Sequence, residues 1–91
     1  MIVEIELDGG EKAEARTFEG HILTFVSPRA FASGAPIGVA VVIGGGRRVL
    51  EGRSISSKRL EGGRFEVRMR FVNLRRDDRH ALSEAMRSLS T

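Results

Sequence analysis

Any catalysis or metal binding in this chain would have to be built from two histidines, His21 and His80, a few serines, and the adjacent acids Asp77 and Asp78. Their spacing argues against it. A zinc site draws its ligands from Cys, His and carboxylates, and the chain has no cysteine. His80 stands one helical turn before Glu84, which gives a weak side-chain pair and nothing more. Ser27, Ser33, Ser54, Ser56 and Ser57 lack a base in a recognisable motif that would activate a hydroxyl. Asp77 and Asp78 fall in the expected first turn of a helix, where the helix dipole favours acids. Gly44-Gly45-Gly46-Arg47-Arg48 lacks the Gly-Lys-Ser/Thr ending and following helix of a phosphate-cradling loop, so it reads as a hairpin turn. The expectation is a chain with no catalytic residues, no metal and no cofactor.

The chain is well supplied with arginine. Of its 15 basic residues thirteen are Arg, set against 12 acids for a net charge of +3. Arg64, Arg68 and Arg70 alternate with apolar residues and would line the wet face of one strand. Arg75, Arg76 and Arg79 carry the row into a helix. A guanidinium fork holds phosphate or carboxylate in a bidentate grip, so these six form the expected partner surface. A codon-driven excess of Arg would look similar, and most of the Arg residues alternate with acids. Nucleic acid is a lesser alternative: the basic surface suits phosphate, but Tyr and Trp are absent and Phe65 and Phe71 read as core, so stacking platforms are lacking.

The elements that would position these residues follow from periodicity. Phe65, Val67, Met69 and Phe71 alternate with Arg64, Glu66, Arg68 and Arg70, which predicts a half-buried strand. Leu82, Ala85, Met86 and Leu89 then share a helical stripe, predicting a helix over 75–89 with Asn73 as its N-cap. Earlier strands are expected at 2–7, 11–17, 21–26, 37–43 and 47–59, separated by glycine-rich turns at 8–10, 44–46 and 61–63. Strand 11–17, whose inward side would be Ala13 and Ala15, is expected to bury little. Strand 37–43 is almost continuously apolar and reads as covered on both faces. Gly20 suggests a bulge or corner, Gly52 a bend, and Phe31 the residue that pins the 27–36 loop to the core. Six short strands and one terminal helix, with no βαβ crossover, predict a mainly β fold: a single-domain antiparallel barrel or strongly bent sheet over 1–91. No apolar run reaches the roughly 18 residues of a membrane span, and the early acids of Met1–Glu6 do not suggest a signal peptide. A cytoplasmic setting is expected. Strand edges at Ala13–Ala15 and 47–59 leave a homodimer open.

The order of these elements resembles the PilZ domain. Gly34-Ala35-Pro36-Ile37-Gly38-Val39 is similar to the family's strand entry, and Gly52-Arg53 sits mid-strand as in the family. Phe65 to Leu74 matches its "x-Val-x-x-x-Phe-x-x-Leu" strand ending, and Arg79-His80-Ala81-Leu82 its helix opening. The likeness is good over residues 34–89 and loose over 2–33. It implies a six-stranded antiparallel PilZ-like barrel with a C-terminal α-helix, in a bacterial signalling protein whose usual ligand is cyclic di-GMP. The family binds that ligand through Arg-x-x-x-Arg before the first strand and Asp/Asn-x-Ser-x-x-Gly at the third. The given sequence starts almost at its first strand. Arg75 and Arg79 spell the first motif in the terminal helix instead, and Arg16, Phe18 and His21 occupy the places of Asp, Ser and Gly. The expectation is a regulatory module that works through a protein partner, with ordinary cyclic di-GMP binding lost. The alternative is a cyclic di-GMP receptor that uses arginines arranged differently.

Overall fold

The computed structural model describes residues 3–43 and 45–87. Six strands occur in chain order: β1 (Val3–Leu7), β2 (Lys12–Glu19), β3 (Ile22–Ser27), β4 (Pro36–Ile43), β5 (Gly46–Arg59) and β6 (Phe65–Phe71). A single 3-10 turn, Glu61–Gly63, joins β5 to β6, and helix α1 (Arg76–Arg87) follows. Every neighbouring pair is antiparallel, and the sheet closes in the order β1-β2-β3-β6-β5-β4. The chain is thus a closed six-stranded antiparallel barrel with one C-terminal helix.

Period-two alternation builds this barrel because a closed sheet has one inside. Val3, Ile5 and Leu7 of β1, Leu23 and Phe25 of β3, and Val67, Met69 and Phe71 of β6 all join one interior cluster. Ala13 and Ala15 belong to it too and are fully buried, contrary to the expectation that β2 buries little. Their side chains are small, but β2 pairs with β1 on one side and β3 on the other, which leaves its inner face no access to water. The continuous apolar run in β4 misled in the opposite direction. Ile37, Val39, Val41 and Ile43 point inward, while Val42 is 69% exposed, so only one face is covered.

Both ends of the barrel are closed. At the end formed by the close of β2, β4 and β6, α1 lays Leu82 and Met86 on the interior cluster, with Leu74, Ala81 and Ala85 partly buried beside them. At the other end Phe31 meets Phe25 edge-on at 6.4 Å and Arg29 lies 4.3 Å over its ring, so Phe31 does pin its loop. That loop also covers the second half of β5: Gly34 N–H donates to the Ser54 carbonyl and Ser54 N–H to that of Ala35, at 2.7 and 2.8 Å.

Gly20 is a corner, in the turn between β2 and β3 with φ 62°, and a bulge falls separately between Ala15 and Thr17. Two local expectations change. Gly52 serves close approach more than bending, since a Cβ there would run into the Arg70 carbonyl oxygen and the Met69 methyl. The irregularity in β5 comes later, between Ser54 and Ser56. Asn73 has φ 56°, a left-handed backbone that Asn tolerates, and it precedes the helix by three residues, so it does not cap it. Ile2, Gly44 and Leu89, placed by pattern in a strand, a turn and the helical stripe, lie outside the described residues. Among the described residues no helix is long and apolar enough to cross a membrane.

Candidate functional site: an arginine surface

The structure splits the six predicted arginines into three sets. Arg68 and Arg70 stand on the outer face of β6, two residues apart and exposed. Register with β5 places Arg53 directly opposite Arg70, and Ser56 opposite Arg68. On the other side Ile22 faces Arg70 and Thr24 faces Arg68. Two guanidinium groups therefore share one cross-strand position. Like charges directly opposite one another destabilise a sheet, so the pair needs compensation. Arg53 directs Nη1 to the Gly34 carbonyl at 3.0 Å. Among the described residues neither Arg53, Arg68 nor Arg70 has a carboxylate within ion-pair distance.

Arg64 behaves differently. Its guanidinium reaches across β3 to Glu14 of β2, at 4.0 Å. Val26, paired with Glu14 on one side and Glu66 on the other, is buried on this outer face without belonging to the interior cluster. Arg64 is thus turned toward Glu14 and away from Arg68 and Arg70.

Arg75, Arg76 and Arg79 are exposed around the start of α1, where the Arg79 N–H donates to the Arg75 carbonyl at 2.9 Å. Arg75 also lines a cleft of ≈ 410 Å³ between the first half of β5 and the β6–α1 connection. Arg47 and Arg48 line it too, and periodicity did not mark either one as a site residue. Arg48 binds Asp78 at 2.6 Å and so ties the first turn of α1 to β5. Asp78 is thus both a helix-start acid and a strut. Arg47 reaches Glu6 of β1 at 3.5 Å, and Lys12 reaches the same carboxylate at 3.2 Å. The Lys12 hydrogen bond, then the charges of Lys12 and Arg47, hold the Glu6 carboxyl below the ordinary glutamate range.

Most of the remaining polar candidates serve the scaffold or stand in solvent, while the Ser54 hydroxyl is buried without a hydrogen-bond partner among the described residues. The Ser27 hydroxyl donates to the Arg29 carbonyl at 2.7 Å and accepts from its N–H at 3.1 Å. Ser57 does the same with Phe31, at 2.9 Å each way, and Ser33 donates to the Ile55 carbonyl at 3.2 Å. His21 and His80 are both exposed, one at a turn and one on α1. No group of three or more His, Cys, Asp or Glu among the described residues is placed to hold a metal ion. At the positions of the family's third-strand motif, Arg16 is exposed beside the bulge, within 3.8 Å of Glu14. Phe18 packs edge-on against Phe71 at 5.8 Å. Comparison with protein-family models, with curated proteins and with solved structures returned no match.

Proposed function

We propose that this chain is a small non-catalytic regulatory module of the PilZ type, acting in the bacterial cytoplasm by docking an acidic protein surface onto the outer face of β6. The observation that carries the docking face is the Arg53–Arg70 cross-strand pair with Arg68 beside it, cations without a carboxylate in reach among the described residues. A position that costs fold stability on its own is well explained by an anionic group supplied from outside. The PilZ reading is supported by the order of its motifs and by a six-stranded barrel with a terminal helix, the architecture the resemblance implies. Loss of ordinary cyclic di-GMP binding is supported by Arg16, Phe18 and His21, which offer none of the short polar contacts of the family motif. A second reading, cyclic di-GMP held by arginines arranged otherwise, draws on the cleft with Arg47, Arg48 and Arg75. Calorimetric titration separates the two: no heat with cyclic di-GMP is expected, and micromolar or tighter binding would favour the second reading. Affinity capture from the source cells tests the first, since a bound protein should be lost when Arg68 and Arg70 are changed to Glu.

A further inference from the structure

We infer that the first half of β5 is a docking edge, which takes an extended acidic segment of a partner protein as an added strand. The inference rests on the partner-binding reading for the existence of a partner, and it concerns a different surface. Glu51 accepts the Val72 N–H at 2.9 Å, so the backbone groups of Glu51 point toward the β6 side, away from β4. Backbone direction alternates along a strand. The N–H and C=O of Val49 and of Arg47 therefore point the same way as those of Glu51. On that side the pairing of β6 with β5 stops at Gly52 and Phe71, with Val72 adding the one bond to Glu51. Among the described residues nothing meets the outward N–H and C=O of Arg47 and Val49. The equivalent edge at the far end of β5 is treated differently, for there the loop bearing Gly34 and Ala35 covers Ser54.

Space and chemistry at this edge suit an added strand. The cleft of ≈ 410 Å³ lies alongside it, lined by Arg47, Arg48 and Arg75 and by the apolar Val49 and Val72. Val49 and Val72 are 69% and 45% exposed. Added strands gain affinity from main-chain bonds and specificity from alternate side chains. An incoming segment would complete the free pairs of Arg47 and Val49, set apolar side chains on the valines, and offer carboxylates to Arg75 and to Arg47, which shares its charge with Glu6 at 3.5 Å. A compact nucleotide would leave those main-chain pairs unused.

Hydrogen exchange followed by NMR, with a peptide of alternating glutamate and valine as probe, tests this. In the free chain the Val49 N–H should exchange at least about tenfold faster than that of Leu50, whose groups face Val39 in the ladder. Peptide should protect Val49 and shift Arg47, Val72 and Arg75. Val49→Pro removes the outward donor and leaves the ladder to β4 intact, and it should weaken peptide binding at least about tenfold. Arg47→Glu with Arg75→Glu should do the same with the backbone unaltered, which covers the case of a proline variant that does not fold. A Val49 amide as protected as Leu50 in dilute free chain would overturn the open edge itself, whatever the β6 face binds. The acidic-strand assignment would be overturned by absence of peptide binding, by equal binding of a lysine–valine peptide, by protection that grows with protein concentration, which marks a second copy, or by cyclic di-GMP shifting these resonances where peptide does not.

Discussion

At the scale of single residues, the arginines fall into those the fold uses and those it leaves over. Arg48 and Arg64 are spent on Asp78 and Glu14. Arg70 faces Arg53 across the ladder. Arg70→Glu should therefore stabilise the isolated chain by up to about 1 kcal/mol, the size of a favourable cross-strand pair relative to a repulsive one. Chemical denaturation checks this, and a loss of stability would mean that Arg70 has an internal partner. A stabilising change that also weakens partner capture would mark Arg70 as a functional residue. Glu6 gives a prediction in pH. Its folded pKa is depressed by Lys12 and Arg47, so its contribution to stability is present above the unfolded pKa and fades as pH falls through the folded one. NMR titration should place Glu6 below the ordinary glutamate value and show it rising in Lys12→Ala. The outward direction of Arg68 and Arg70 was legible from alternation. The meeting of Arg70 with Arg53 was not, because register depends on the turn at Glu61–Gly63 and on the bulge near Ser56, and neither shows in a periodicity.

Element by element, the strands and the helix were legible because a barrel lined on one side writes a period of two into each strand, and a capping helix writes 3.6. What failed was the weight given to side-chain size. Alanines in β2 read as weakly buried and valines in β4 as doubly covered, yet closure, not volume, decides burial in this sheet. Gly52 was visible as an irregularity, but only the packed structure shows that β6 passes so close that a methyl group has no room. Gly52→Ala should cost about 3 kcal/mol, at the upper end of overpacking, and a thermal melt that moves by less than a few degrees would show that β6 can retreat. The docking of α1 depends on Leu82 and Met86 beneath it and on the ion pair from Arg48 to Asp78. Asp78→Ala should cost about 1–2 kcal/mol, below the upper part of the range for a hydrogen bond to a charged group because solvent screens this part-exposed pair. Exchange should quicken in α1 before the strands, whereas uniform quickening would mean that helix and barrel open together.

Over the whole molecule, the pieces assign distinct tasks to the surface of a rigid barrel. α1 covers one end and the Phe31 loop the other, and among the described residues the interior is filled by a packed apolar core. On the proposed reading binding falls to the outside, where Arg68 and Arg70 of β6 have no carboxylate partner and the outward backbone groups of Arg47 and Val49 in β5 no hydrogen bond among the described residues. Charge of this kind sets association rate and selectivity more than affinity, and its effect should weaken as salt screens it. The strand edges suggested by the sequence as routes to a homodimer are mostly paired in the closed sheet, and the Arg47–Val49 stretch is one that is not, among the described residues. The central claim is that the β6 face holds a protein partner. Its most direct measurement is affinity capture from the source cells with three baits: the natural chain, the Arg68→Glu/Arg70→Glu variant, and a charge-matched Lys12→Glu/Arg87→Glu control. A protein retained by the natural chain and the control, released by moderate salt, and lost with the β6 variant while its melt is unchanged or raised, is the expected result. An identical set of proteins on all three baits would contradict the account.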